Sequence, residues 1–209
     1  MSVRFVLILA VAASMACAWP AGSEVIQNHS FELETDGFMP NGCDTAISPF
    51  WGLPDAWYWR LEGPLNGHGA MLPQGHATDG AWSLEMFATA GGGQVPGDFI
   101  EWYQTVDLTQ TAEILFDVTL PYNHSLAFAY VAVDDEVLWT GDEAGTHLDQ
   151  SINVNHLEGD HQLALGVRMV GYGSPGGADG VTFWDNLRSV AVVAAEPVSL
   201  SRIKSLFRE

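Results

Sequence analysis

Aromatic rings and carboxylates are the side chains of this sequence with the clearest chemical potential. Seven of its eight tryptophans fall between positions 51 and 184: Trp51, Trp57, Trp59, Trp82, Trp102, Trp139 and Trp184. The densest group is Phe50-Trp51 followed by Trp57-Tyr58-Trp59-Arg60. A pyranose stacks its apolar face on a flat ring, while its hydroxyls need directed hydrogen bonds. Trp51, Trp57, Trp59 and Arg60 are therefore candidate ligand-binding residues, and Trp139, just after an acidic turn, joins them. In an extended segment Trp57 and Trp59 share one face, and Tyr58 and Arg60 the other. One pair is then poorly buried unless a loop covers it. The competing reading is that these rings are the small core of a long loop. Trp82, Trp102 and Trp184 lie inside strand-like runs and read as core or sheet-face residues.

Reaction chemistry has no comparable signature. The chain contains no Gly-x-Ser-x-Gly elbow, no His-Glu-x-x-His and no phosphate loop. His68 with His76, and His156 with His161, lack metal-ligand spacing. With 26 Asp and Glu, two carboxylates at a glycosidase separation could arise by chance, and the sequence does not choose a pair. Cys43 has no patterned His and Asn partners, so it reads as a small apolar residue and not a nucleophile.

The elements that must position these side chains are strands. His161, Leu163, Leu165, Val167 and Met169 alternate with Gln162, Ala164, Gly166 and Arg168, the pattern of a half-buried strand. Runs 113–120, 126–133, 137–140, 151–154 and 181–193 read similarly, and Asp134-Asp135-Glu136 joins two of them as a hairpin. Segments 91–97 and 171–177 are loops. The Pro-, Gly- and Trp-rich stretch 35–75 is expected to pack irregularly over one end. No helix of ordinary length is evident between positions 23 and 193, so the fold expected is all-β, an antiparallel sandwich. The two ends carry matched phrases, Ile26 to Glu32 and Asp179 to Arg188, each with a carboxylate beside an aromatic. Pairing of the first and last strands would bring Glu32 and Asp185 together.

Composition narrows the partners. Seven Lys and Arg against 26 Asp and Glu give a net charge of −19, which repels phosphate backbones and makes nucleic acid a poor partner. Arg4, the apolar run 5–13 and Ala16-Cys17-Ala18 have the layout of a signal peptide cleaved after Ala18. That run is too short to span a bilayer. Cys17 as a lipid-modified first residue is the alternative. If Cys17 leaves with the leader, Cys43 is alone and no internal disulfide is available. The expected organisation is a leader over 1–18, one domain over 19–194 and a tail over 195–209. The tail carries Arg202, Lys204 and Arg208, and Ser201 could cap a short helix there. A frayed end, an attachment signal and a partner helix are all open.

Four phrases in order resemble the galactose-binding-like jelly rolls, which include many carbohydrate-binding modules of exported bacterial enzymes. Asn28-His29-Ser30-Phe31-Glu32 is similar to their opening Asn-x-Ser/Gly-Phe-Glu, and Asp79 to Glu85 to their Gly-x-x-Ser-Leu strand. Trp102 to Leu108 is similar to their Tyr-x-Gln-x-Val strand, and Phe183 to Leu187 to their closing aromatic-x-Asp-Asp/Asn-Val strand. The resemblance spans 25–190. It implies a structural calcium near the meeting of the terminal strands, with Glu32 and Asp185 as carboxylate ligands and carbonyls from the turn Asp79 to Ser83. Calcium accepts six to eight oxygens in irregular geometry, although Asn186 stands where many relatives have a second acid. The expectation is an exported, noncatalytic sandwich binding glycan at the cell surface or in the extracellular matrix. A surface protein with no sugar site and a small jelly-roll polysaccharide lyase or hydrolase are the alternatives.

Overall fold

The computed structural model describes residues 25–32, 34–35, 53–54, 56–63, 66–73, 76–89, 96–171 and 178–192. The leader, Cys43, Trp51 and the tail lie outside these. Twelve strands follow in order: β1 Glu34–Thr35, β2 Leu53–Pro54, β3 Tyr58–Glu62, β4 Asn66–Pro73, β5 Trp82–Thr89, β6 Phe99–Asp107, β7 Thr111–Leu120, β8 Ala127–Val133, β9 Glu136–Gly141, β10 Gly145–Asn153, β11 Asp160–Met169 and β12 Ala178–Ala191. β1 and β2 form a small ribbon. The others form two five-stranded antiparallel sheets, ordered β10-β7-β12-β5-β4 and β3-β6-β11-β8-β9. The fold is thus the expected all-β sandwich. Among the described residues no helix is long and apolar enough to cross a membrane.

Alternation builds the core between the sheets. Ile114, Phe116, Val118 and Leu120 of β7 and Leu163, Leu165, Val167 and Met169 of β11 join one apolar cluster with Trp102 and Trp184. Trp184 is fully buried and its Nε1 donates to Thr182 Oγ1 at 2.8 Å. Fully burying a large apolar side chain stabilises by roughly 2 kcal/mol. The β8–β9 hairpin turns at Asp134 and Asp135, whose φ values of 51° and 66° match the right-handed strand twist.

Three expectations change. The opening segment is not a strand: Asn28 and Phe31 have φ of 47° and 54°, and Phe31 N–H donates back to Asn28 O. This turn drops Phe31 into the core, where it is fully buried. The last strand, β12, therefore pairs with β5 and β7 and not with the opening segment. Contact between the ends is made instead by Leu187 N–H donating to His29 O at 3.0 Å.

Second, stretch 35–75 contributes β3 and β4, regular strands of opposite sheets. Its glycines look like loop signals, but Gly69 has another cause. A Cβ there would collide with the Trp102 and Trp59 rings, which lie against the β4 backbone.

Third, β11 is buried on both faces. Ala164 is 3% exposed although it points away from the sandwich core. It belongs to a second, smaller apolar cluster with Phe99, Tyr130 and Ala132, packed by Tyr103, Phe128 and Val137.

Candidate glycan-binding face

That second cluster lies on the outer face of the β3-β6-β11-β8-β9 sheet, and the strand register arranges it in three rows. Tyr58, Tyr103, Ala164, Ala132 and Val137 form the first. Arg60, Glu101, Gly166, Tyr130 and Thr140 form the second, and Glu62, Phe99, Arg168 and Phe128 the third. Directly opposed side chains on one sheet face touch, so residues distant in sequence converge here.

The middle row is a locked polar network. Gly166 leaves room for the Tyr130 ring to lie across β11, since a Cβ there would fall inside that ring. Tyr130 Oη donates to Glu101 Oε2 at 2.5 Å. Arg60 Nε donates to Glu101 Oε1 at 2.8 Å, and its Nη2 meets the same oxygen and Asp135 Oδ1. Glu101 is only 2% exposed, so removing one partner would leave an uncompensated buried charge. Desolvation works against the Arg60 charge, but Asp135 and Glu101 outweigh it and hold its pKa above the ordinary value. Burial and the adjacent Glu101 charge push the Tyr130 hydroxyl far up, which keeps it a donor.

Arg60 sits on an edge strand, and Asp135 sits at the tip of the β8–β9 hairpin, three strands away. At ordinary spacing that is about 14 Å, longer than an arginine side chain. The contact therefore ties the edge strand β3 to the hairpin tip across this face. At the open end Tyr58 is 56% exposed and leans on Tyr103, with ring centroids 5.8 Å apart. Both arginines stand by one ring, Arg60 at 5.3 Å and Arg168 at 5.4 Å from the Phe99 centroid.

The aromatic residues expected from sequence separate. Trp57 is 5% exposed and packs on Phe31, so its faces are taken by the core. Trp59 is half-buried, edge-on to Trp102. Trp139 is half-buried against Phe116 and Trp184, with Nε1 donating to Gln150. Among the described candidates only Arg60 reaches the outer face. The alternation in 57–60 holds, and the exposed partners are Tyr58 and Arg60. Tyr58, Tyr103, Phe99, Glu101, Tyr130 and Arg168 were not singled out as site residues. Their signal lies in β6, where Phe99, Glu101 and Tyr103 alternate with the core residues Ile100 and Trp102.

Glu32, Asp79, Ser83 and Asp185 gather elsewhere, on the other sheet. Glu32 Oε1 accepts from Ala81 N–H at 2.7 Å and Trp82 N–H at 2.9 Å. Asp185 Oδ2 accepts from Thr78 N–H at 2.5 Å and Asp79 N–H at 2.8 Å, and Oδ1 from Asn186 N–H. Asp117, opposite Asp185 in register, accepts from Thr78 Oγ1, Asn186 Nδ2 and Asp149 N–H. Burial raises the Asp185 pKa despite these donors. For Asp117 burial acts in the same sense but is outweighed by its three donors, and the net direction is down.

The two matched ends thus grip one loop, residues 78–82. A calcium ion needs oxygens turned inward. Here amide N–H groups point at Glu32 Oε1 and at both Asp185 oxygens, and the Ser83 hydroxyl is buried without a hydrogen bond. Among the described residues no three His, Cys, Asp or Glu are grouped to hold a metal. Among the described residues, amide N–H groups satisfy Glu32 Oε1 and both Asp185 oxygens.

No family model matches the chain, and no curated protein matches it. Among solved structures it is similar to a family 61 carbohydrate-binding module in complex with β-1,4-galactotriose, at 12% identity and TM-score 0.48, covering 81% of this chain and 99% of that one. It is also similar to a family 11 carbohydrate-binding module from Clostridium thermocellum in complex with a mixed-linked tetrasaccharide, at 9% identity and TM-score 0.45, covering 70% and 94%. A cleaved adhesin domain of Lys-gingipain matches at 10% identity and TM-score 0.46, covering 66% and 91%.

Proposed function

We propose that this chain is a noncatalytic carbohydrate-binding β-sandwich, exported and acting at a cell surface or in an extracellular matrix. The observation that carries the proposal is exposed Tyr58 leaning on half-buried Tyr103 beside the fixed Arg60–Glu101 network on one sheet face. The rings can stack on a sugar while Arg60, partly exposed and held by Glu101, offers N–H donors of fixed direction. Glu101 has both oxygens engaged and is almost fully buried, so it is poorly placed to act as an acid or base. This supports binding without catalysis. Export rests on the leader-like layout of 1–18, and surface attachment on the basic tail. The calcium implied by the resemblance is not part of the proposal, because amides satisfy both Asp185 oxygens and Glu32 Oε1.

Affinity electrophoresis against a polysaccharide panel tests the reading. Retardation by at least one polysaccharide, lost on Tyr58→Ala, is the expected result. No retardation by any member would favour a surface protein without a sugar site, and released oligosaccharide would favour an enzyme.

A further inference from the structure

We infer that the carbohydrate bound on this face is a mostly neutral chain carrying isolated acidic groups, and that Arg168 receives those groups. The inference rests on the glycan reading above and names the ligand class of the same site. Cations are scarce in this chain, so where they sit is informative. Its described residues include only three arginines, Arg60, Arg168 and Arg188, and no lysine. Arg188 pairs with Asp149, and Arg60 pairs with Glu101 and Asp135.

Arg168 is in no ion pair among the described residues. It lies over two rings, 4.8 Å from the Tyr130 centroid and 5.4 Å from that of Phe99, and hydrogen-bonds the Tyr130 hydroxyl. The nearby carboxylate is already engaged: Glu101 Oε1 takes Arg60 and Oε2 takes Tyr130. The ring quadrupoles and the neutral Tyr130 hydroxyl orient the guanidinium without neutralising it. Its planar fork accepts a carboxylate or sulfate by two parallel charge-assisted bonds, which a neutral hydroxyl cannot match.

The net charge of −19 then limits the ligand further. A densely charged polyanion would meet repulsion from the whole surface. Screening over about 8 Å at physiological salt leaves a single acidic group at contact under the influence of Arg168. Scattered acids on a neutral backbone satisfy both conditions.

Isothermal titration of the full chain tests this with glucuronoxylan, weakly charged pectin, their carboxyl-reduced forms and alginate. Expected is binding of a native form about tenfold or more tighter than its carboxyl-reduced form. Arg168→Gln should erase that gap, and Arg168→Lys should narrow it. Melting curves verify that each variant is folded; should Arg168→Gln not fold, the Arg168→Lys comparison decides. Equal affinity for native and reduced forms, an undiminished gap in the variants, or tightest binding to alginate would overturn the inference while leaving glycan binding intact. Binding to no polysaccharide, or binding indifferent to Tyr58→Ala, would overturn the glycan reading and the inference with it.

Discussion

The two outer faces of the sandwich both bury carboxylates, but they satisfy them differently. On the β10-β7-β12-β5-β4 sheet, Asp185 takes its hydrogen bonds mainly from the backbone amides of Thr78, Asp79 and Asn186, and Asp117 from the Asp149 amide and the Thr78 and Asn186 side chains, which ties the 78–82 loop to β10 and β12. On the β3-β6-β11-β8-β9 sheet, Glu101 is held by two side chains, Arg60 and Tyr130, beside a tyrosine left largely exposed. Amide donors fix chain path; side-chain donors on an open face fix chemistry that a ligand can meet. The first arrangement closes a fold, and the second presents a surface.

The largest expected effect lies on the closed face. Asp185→Ala orphans the N–H groups of Thr78, Asp79 and Asn186, at a cost of roughly 3 kcal/mol. For a domain of this size the melting temperature should fall by about 6–12 °C, with glycan affinity unchanged in the folded fraction. Calorimetry and titration on one sample check both halves. If affinity fell while the melt held, the roles assigned to the two faces would be reversed.

On the open face, Glu101→Gln keeps the shape and removes the charge that orients Arg60 and Tyr130. Glycan affinity should drop about tenfold, the equivalent of one charged hydrogen bond. An unchanged dissociation constant would remove Glu101 from the site.

Smaller still is the contribution of the β8–β9 tip, where His161 Nδ1 lies 2.6 Å from Asp134 Oδ2. The Asp134 hydrogen bond raises the His161 pKa. A raised histidine stabilises below its unfolded value, about 6.5, and the gain is lost as pH rises through its folded value. Melting should therefore fall by about 1–2 °C more between pH 6 and pH 8 in the native chain than in His161→Ala, as expected for a largely exposed pair. Equal pH dependence would show that the pair adds nothing.

The smallest predicted effect is none. A chelator should leave the melt unmoved, because the Glu32 and Asp185 clip closes on amides; a drop of several degrees would restore the calcium.

Much of the fold was legible because alternation is local. His161 to Met169 declared its core face, and Asp134-Asp135 its hairpin. β3 and β4 were hidden because the glycines and tryptophans of 57–73 look like a loop until the rings of Trp59 and Trp102 are seen to need Gly69. Glu32 and Asp185 both bond the 78–82 loop, but the opening strand is replaced by a turn whose left-handed Phe31 is invisible in residue type. The site was the least legible part. Its residues come from β3, β6, β8 and β11, and β6 is aromatic on both faces. Which face points outward is decided by the whole sheet, since a shift of one residue exchanges them. Tryptophan content drew attention inward, and the exposed rings are tyrosines.

The central claim is the location of binding. Titrating the ¹⁵N-labelled protein with an oligosaccharide of whichever polysaccharide retards it, and following amide chemical shifts, tests this directly. Shifts concentrated at Tyr58, Arg60, Glu101, Tyr103 and Arg168 are predicted. Shifts centred on residues 78–82 and 117, with β3 and β6 silent, would contradict it.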